Sequence, residues 1–300
     1  MSIIVRVHGG LGNQLFQYAF GRGVASRLKT DLIVDTSPYL RAAYDPHVYH
    51  DSVPCFENFN VNVRLARDSD MFGFVWLRKH RNFFDPFYDK LRGKKTFLPF
   101  YYPEQGFTFD PKVFSRNHTY FDGYWQTEKY FKHVADRLRA ELTPSRPLSE
   151  YARSMLNEIR RANAVSIHVR RGDYISDPEI NAYHGTCSPQ YYQRAIHCIE
   201  QQVSSPHFFI FSNDYEWSVE NFKFLNGSYT CVRGSDAKNY EDMHLMSRCR
   251  HHIIANSSFG WWGAWLNPSK EKQVVAPKRW FANVPKGDAR DLFPEDWIVM

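Results

Sequence analysis

The spacing of apolar residues predicts alternating strands and helices from the start of the chain. Residues 3–8 have the pattern of a strand, and residues 11–29 place apolar side chains on one helical face. A second apolar run at 31–35 ends the first β-α-β unit. From 36 to 121 the pattern is irregular, with many aromatic residues and prolines, and it predicts no regular elements. A helix is expected to end near Leu142.

The alternation becomes regular in the second half of the chain. Strands are predicted at 165–170, 207–212, 229–232, 253–256 and 273–277, and helices at 149–161, from 188, from 214, at 240–250 and from 258. Strands separated by helices indicate a parallel sheet with right-handed crossovers. The polar, proline-broken segment 143–147 reads as a linker. We therefore predict two α/β domains, 1–145 and 146–300, with the last helix free to pack back on the first.

Composition narrows the class of protein. Of 300 residues, 43% are apolar, which argues against disorder. The net charge of +6 suits an anionic ligand or membrane face, and because no Lys/Arg block exceeds a few residues, nucleic acid is not indicated. Five scattered cysteines without a C-x-x-C pair indicate reduced thiols rather than zinc or disulfides. We expect a cytoplasmic protein, with peripheral association at the inner membrane left open.

The most informative motif is His-Val-Arg-Arg-Gly-Asp-Tyr at 168–174, directly after a predicted strand. Ligands of open α/β sheets bind beyond the carboxyl ends of the strands. The planar guanidinium groups of Arg170 and Arg171 match phosphate oxygens, so the pair suits a diphosphate. A solvated arginine pair is the alternative. Asp173 either orients an arginine or forms the turn.

Two further clusters follow strands of the second half. Ser257 and Ser258 open a predicted helix, and together with its free N–H groups they indicate an anion site. A simple N-cap is the alternative. Glu241 and Asp242 either complement a helix dipole or supply a carboxylate for a guanine edge. The aromatic residues after Ser258 are interpreted as core.

The glycine-rich turn at 9–14 resembles a dinucleotide fingerprint, but Leu15 stands where the third glycine belongs. Asp35 at the end of the next strand supports that interpretation in part. The amides of Asn13 and Gln14 also suit sugar hydroxyls or a glycosidic oxygen.

A D-x-D pattern occurs at Asp68-Ser69-Asp70, where nucleotide-sugar enzymes can hold a metal. Arg64 and Arg67 lie beside it, which favours a solvated run of charges. The histidines show no metal-ligand spacing. We therefore expect no metal site.

Four segments together resemble the α-1,2-fucosyltransferases of glycosyltransferase family 11. They are residues 9–17, 123–126, 168–174 and 256–263, and the similarity spans nearly the whole chain. The pairing of H-x-R-R-G-D with N-S-S-F-x-W-W is specific. The resemblance implies a GT-B fold, in which two Rossmann-like parallel-sheet domains face a cleft. Length resembles the bacterial members, which decorate surface glycans such as O-antigens.

The resemblance also implies a reaction: inverting transfer of fucose from GDP-fucose to the 2-hydroxyl of a galactose-terminated acceptor, without metal. Arg170 would hold the β-phosphate, and Asn13 would face the sugar and the leaving oxygen. The implied donor-binding residues are His168, Arg171, Asp173, Asp242, Ser257, Ser258, Phe259, Gly10, Gly12 and Gln14. Gly260 departs from the serine of many members.

Three classes of function remain open at this point: the fucosyltransferase, an NAD-type oxidoreductase using the glycine turn, and a non-catalytic carbohydrate-binding protein using the aromatic residues. The general base is also open. Asp122, Glu128 and His8 are candidates, and the leaving phosphate oxygen itself is a further one.

Overall fold

A computed structural model describes residues 2–42, 54–67, 69–70, 100–234, 238–282 and 289–300. The chain forms two compact units. The N-terminal unit comprises Met1–Phe56 and Val61–Leu138, and the C-terminal unit comprises Glu57–Asn60 and Arg139–Met300. The domain boundary at 145/146 that the sequence suggests stays a prediction, and the chain finally passes from the N-terminal to the C-terminal unit between Leu138 and Arg139.

The N-terminal unit is built on a parallel five-stranded sheet in the order β3-β2-β1-β5-β4. Its strands are β1 Ser2–Arg6, β2 Asp31–Asp35, β3 Arg64–Leu65, β4 Tyr101–Pro103 and β5 Tyr120–Asp122. Its helices are α1 Leu11–Leu28 and α2 Ser37–Ala42, and α3 Ala135–Glu141 begins in this unit and ends in the other. Short 3-10 turns lie at Pro111–Ser115, Glu128–Tyr130 and Lys132–Val134.

Helix α1 is enclosed by its unit over most of its length. Close approach requires glycine at position 23, because a Cβ there would lie 2.2 Å from the Tyr130 carbonyl oxygen. The helix ends at Leu28, and the left-handed backbone of its C-cap Lys29 (φ 52°) directs the chain into β2. This first β-α-β unit confirms the predicted one.

The C-terminal unit carries a parallel six-stranded sheet in the order β11-β10-β9-β6-β7-β8. Its strands are β6 Ala164–Val169, β7 His207–Ser212, β8 Tyr229–Val232, β9 His251–Ile253, β10 Val274–Ala276 and β11 Ile298–Val299. Its further helices are α4 Glu150–Arg161, α5 Gly172–Ser176, α6 Pro178–His184, α7 Pro189–Glu200, α8 Tyr215–Asn221, α9 Asn239–Arg248 and α10 Ser258–Trp265.

Predicted capping residues begin two of these helices. The Ser149 hydroxyl accepts the Ala152 N–H at 3.2 Å and starts α4. Ser188 caps α7 by accepting the Tyr191 N–H at 3.3 Å, with proline at the first helical position. Apolar faces of these helices pack on both faces of the sheet.

The prediction differs from the structure at several elements. β9 begins two residues earlier than expected, because α9 already ends at Arg248. The short elements α5, α6 and β11 had no sequence signal, and neither did β4 and β5 in the irregular stretch. None of the helices in the described ranges is long and apolar enough to cross a membrane.

Candidate active site

The C-terminal sheet has a topological switch point at β6. The chain runs from β6 outward through β7 and β8, and then returns to β9 on the other side of β6. Loops leaving β6 and β9 therefore diverge, which opens a crevice at their carboxyl ends. Arg170 is the first residue after β6, and Ser257 follows β9 by four residues. The two sequence motifs thus emerge from neighbouring strands.

Arg171 is held by its own unit. Its Nε donates to Asp214 Oδ2 at 3.2 Å, and its backbone N–H donates to Asn213 Oδ1 at 2.9 Å. The guanidinium also lies 4.2 Å from the centre of the Trp217 ring. These contacts tie the loop after β6 to the loop after β7. These contacts favour a supporting role for Arg171, and its direct contact with a donor stays a prediction.

Arg170 lies half-buried at the end of β6, with its guanidinium 5.3 Å from the centre of the Tyr174 ring. The ring stacks at 4.7 Å on His184. The guanidinium therefore approaches an aromatic face that α6 supports. The side chain of Asp173 lies outside the described residues, so its role stays a prediction.

His168 is enclosed between the end of β6 and the start of α10. Burial, and then the charge of Arg170, lower the pKa of its imidazole to about 3. The ring lies 5.4 Å from the Phe259 ring, and its Nδ1 has no hydrogen-bond partner in the described chain. A Cβ on residue 260 would lie 2.7 Å from that Nδ1. Gly260 therefore makes room for the histidine.

The serine pair opens α10 as predicted. The buried Ser257 is the N-cap, and its hydroxyl accepts the Phe259 N–H at 3.3 Å. Ser258 and Phe259 are half-buried at the first turn. A capped helix N-terminus beside Arg170 concentrates positive potential, which suits an anion.

The rest of this motif is structural. The buried Asn256 donates through Nδ2 to the carbonyls of His184, Gly185 and Trp280, at 2.9, 3.2 and 3.2 Å. The three tryptophans of α10, Trp261, Trp262 and Trp265, are at most 2% exposed. Their interpretation as core is confirmed.

Glu241 and Asp242 at the start of α9 have different surroundings. Glu241 is buried and accepts the Ser149 N–H at 2.8 Å and the Ser149 hydroxyl at 2.6 Å, so it braces the start of α4. Asp242 is half-buried and lies against the backbone after β8, where a Cβ at Gly234 would be 2.1 Å from its Oδ2. Its contact with a guanine stays a prediction.

The N-terminal unit has its own switch point, because β1 lies between β2 and β5. The loop after β1 turns through Gly9, whose φ of +80° favours glycine, and Gly10 is the N-cap of α1. Gly12 is buried in the first turn of the helix. These positions build the turn, and their contact with a donor stays a prediction.

The two neighbouring amides of this turn are used differently. Half-buried Asn13 accepts Gln126 Nε2 through its Oδ1 at 2.9 Å. Gln14 is 1% exposed: its Nε2 donates to the Gly9 carbonyl at 3.0 Å, and its Oε1 accepts the Cys55 N–H at 2.9 Å. Both ends of the Gln14 amide thus hold the turn. Only Asn13 retains the accessibility that a sugar contact requires.

Both carboxylate oxygens of Asp35 accept hydrogen bonds within the N-terminal unit. The residue is 2% exposed, its Oδ2 accepts the Tyr120 hydroxyl at 2.6 Å, and its Oδ1 accepts the Ser37 N–H at 2.9 Å. A dinucleotide site needs this carboxylate for a ribose. The geometry therefore argues against the NAD-type alternative.

The candidate bases also lie in this unit. Asp122 accepts Arg6 Nη1 at 2.9 Å and the Tyr101 hydroxyl at 2.7 Å. Buried Glu128 pairs with Lys132 at 2.8 Å, which is a structural contact. The His8 ring lies 4.8 Å from that of Tyr124. Asp122 is the last residue of β5, and His8 lies two residues beyond the neighbouring strand β1, so these two remain candidates.

Sequence reasoning missed Glu104, which follows β4. Its Oε2 accepts the Tyr124 N–H at 2.7 Å and its Oε1 accepts the Trp125 N–H at 2.9 Å. Desolvation raises the pKa of this carboxyl to about 7, even though the two N–H donors oppose that rise. No pattern in the irregular stretch pointed to it, because a lone glutamate between short elements has no distinguishing signal.

Across the described ranges, no group of three or more His, Cys, Asp or Glu side chains could hold a metal ion. In the D-x-D pattern, Asp70 accepts Arg64 Nη2 at 2.6 Å and the Arg67 N–H at 2.9 Å, while Asp68 lies outside the described residues. The expected independence from metal stays a prediction.

Two bacterial glycosyltransferases are similar in sequence to this protein over nearly its whole length. It is 32% identical to the Alpha-1,2-colitosyltransferase of Escherichia coli over 99% of both chains. It is also 32% identical to the Escherichia coli O-antigen biosynthesis glycosyltransferase WbnK, over 97% of each. Human Galactoside alpha-(1,2)-fucosyltransferase 1 is 30% identical over 46% of this chain and 40% of that protein.

Two solved structures share the fold. One is NodZ alpha-1,6-fucosyltransferase soaked with GDP-fucose, with a TM-score of 0.50, 15% identity, and 89% of this chain and 92% of that one covered. The other is a variant of Arabidopsis thaliana FUT1 in complex with GDP, with a TM-score of 0.50, 14% identity, and 91% and 69% covered. The predicted GT-B fold class, with two parallel-sheet α/β domains, is confirmed. Residues 101–300 match the sequence model of glycosyl transferase family 11, and the chain therefore belongs to that family.

Proposed function

We propose that the protein transfers L-fucose from GDP-β-L-fucose to the 2-hydroxyl of a terminal galactose, with inversion, to form an α-1,2 linkage. The observation that carries this proposal is that Arg170 and the capped start of α10 follow the neighbouring strands β6 and β9 at one switch point. A guanidinium and a helix N-terminus together match a diphosphate. The O-antigen glycosyltransferase and the human fucosyltransferase among its relatives support the choice of reaction.

The chemistry follows from where charge develops. The bond between the fucose anomeric carbon and the β-phosphate oxygen breaks, and its electron pair stays on GDP. The galactose 2-hydroxyl oxygen forms the new bond from the opposite face, and its proton passes to a base or to the released phosphate. Arg170 and the α10 N-terminus stabilise the negative charge on the diphosphate, where one well-placed donor contributes ~3–4 kcal/mol. In this scheme no metal is needed.

The test is an assay with GDP-fucose and lactose in EDTA, followed by linkage analysis of the product. Arg170→Ala is expected to lower turnover by about two or more orders of magnitude. Arg161→Ala is the matched control, because Arg161 is an exposed arginine at the end of α4 in the same unit. Near-normal turnover by a folded Arg170→Ala protein would refute the proposal, and so would a product with a different linkage.

Colitose is a second candidate for the transferred sugar. The observation that favours it is the 32% identity to the colitosyltransferase over 99% of this chain. Colitose is fucose without its 3-hydroxyl, so both donors offer the same GDP to Arg170 and α10. Comparing kcat/KM for GDP-fucose and GDP-colitose decides between them. If kcat/KM is more than about tenfold higher for GDP-fucose than for GDP-colitose, the difference corresponds to at least one hydrogen bond to the 3-hydroxyl of fucose.

A further inference from the structure

A carboxylate supports the loop after β5, residues 123–126, which we call the β5 loop. Glu104 accepts two consecutive backbone N–H groups of this loop, those of Tyr124 and Trp125, at 2.7 and 2.9 Å. Each of its oxygens takes one donor. Charge-assisted bonds of this kind are about twice as strong as neutral ones. Such a pairing holds a backbone in place.

The β5 loop has a conformation that needs this support. Trp125 has a φ of +57°, in the left-handed region that side chains other than glycine rarely adopt. Its indole stacks on Phe20 at 4.1 Å, with 10° between the rings. At Gly123 a Cβ would lie 2.3 Å from the Glu104 Cβ. Loop and carboxylate are therefore fitted closely to each other.

The same loop is bonded to α1 at two points. Gln17 Nε2 donates to the Gly123 carbonyl at 3.1 Å, and Gln126 Nε2 donates to Asn13 Oδ1 at 2.9 Å. The second bond sets the orientation of the Asn13 amide, because its oxygen must face Gln126. The donating Nδ2 then lies on the side of Gly9, since a Cβ there would be 2.9 Å from it.

We infer that Glu104 is a positioning residue: it fixes the β5 loop, and through Gln126 it orients the amide of Asn13 toward the reacting sugar. The part of this inference that concerns the sugar rests on the proposed function. The part that concerns the chain of contacts from Glu104 through the β5 loop and Gln126 to Asn13 rests on the hydrogen bonds alone.

The first experiment tests this chain of contacts without any substrate. Glu104→Gln keeps the volume but turns one acceptor into an NH₂ donor that faces a backbone N–H. In NMR spectra, we expect the backbone amides of Tyr124 and Trp125 and the side-chain amides of Gln126 and Asn13 to shift. Gln105→Ala, at an exposed neighbour of Glu104, is the matched control and should leave all four unchanged. Unchanged Asn13 and Gln126 signals in Glu104→Gln would overturn the inference.

The second experiment is a kinetic cycle with GDP-fucose and lactose. Glu104→Gln is expected to lower kcat about tenfold, with the GDP dissociation constant within about twofold of wild type. In a Gln126→Leu background, the same change should lower kcat by less than about twofold, because the relay is already broken. Effects that multiply in the double variant would overturn the relay.

The two experiments separate the two levels of the argument. A wild-type protein without turnover refutes the proposed function, while the NMR result still decides the role of Glu104. Normal wild-type turnover with an unaffected Glu104→Gln variant refutes the positioning role alone. If Glu104→Gln does not fold, Glu104→Asp keeps both acceptors on a shorter stem and is judged by the same shifts.

Discussion

Gly260→Ala is expected to destabilise the C-terminal unit through a single contact. The added Cβ would lie 2.7 Å from Nδ1, 2.9 Å from Cγ and 3.1 Å from Cβ of His168. These are atoms of a buried ring base, which cannot swing away as the far end of a flexible side chain would. The ring or the helix must therefore move by about 0.7 Å to reach ordinary van der Waals contact.

The magnitude follows from two opposing effects. Overpacking a tight site costs about 1–3 kcal/mol. Replacing glycine within a helix by alanine returns about 0.5–1 kcal/mol, and Gly260 is the third residue of α10. We expect a net loss of about 1–2 kcal/mol in the free energy of unfolding.

The assay is urea unfolding, with the change in midpoint read at constant m-value. The decisive comparison repeats Gly260→Ala in a His168→Ala background, where the two closest atoms, Nδ1 and Cγ, are gone and only the Cβ of residue 168 remains, at 3.1 Å. There the loss should be smaller than in the wild-type background by about 1 kcal/mol or more, because the ring clash is removed. Wild-type stability of the single Gly260→Ala variant, or an equal loss in both backgrounds, would refute the steric reasoning.

Three further predictions concern stability. Glu241→Gln removes an acceptor from Ser149 and should cost about 1–2 kcal/mol, seen as a lower Tm in thermal unfolding. Tyr120→Phe strands the buried Asp35 Oδ2 and should cost about 1–3 kcal/mol in urea unfolding, whereas an unchanged midpoint would show that this bond contributes nothing. The pKa of the buried His168 imidazole is lowered from 6.5 to about 3, so the unfolded chain takes up this proton at higher pH than the folded protein. The neutral histidine therefore contributes its full stability above pH 6.5, and that contribution is lost progressively as the pH falls toward 3. Urea midpoints measured across this range, with His168→Ala as the reference, check this prediction.

The C-terminal unit follows the sequence closely because its signals are long and redundant. Strands such as His207–Ser212 are continuous apolar runs, and Ser149 and Ser188 mark helix starts by chemistry as well as by position. The Arg170 motif could be placed at a strand end because the strand before it was unambiguous.

In the N-terminal unit, the first β-α-β unit and the helix expected to end near Leu142, observed as α3, were predictable. β4 and β5 have three residues each, which is too short for a period of two to show. Glu104 acts through bonds to backbone N–H groups of the β5 loop, and backbone donors leave no trace in residue types. Likewise, the sequence does not distinguish Glu241 from Asp242. Only the tertiary contacts show that Glu241 supports the start of α4 while Asp242 remains a candidate for binding a ligand.

The switch point in the C-terminal sheet has a consequence for folding order. Arg170 and Ser257 reach the same edge only when β6 pairs with β9, a register that joins Val165 to His251 across more than 80 residues of chain. Contacts so distant in sequence form late, since the closure of a long loop must precede them. A nascent chain that has exposed β6 to β8 therefore carries the arginines without the helix N-terminus. Under the proposed function, affinity for GDP should appear only once β9 and α10 have joined the sheet, so nucleotide binding would report on native topology.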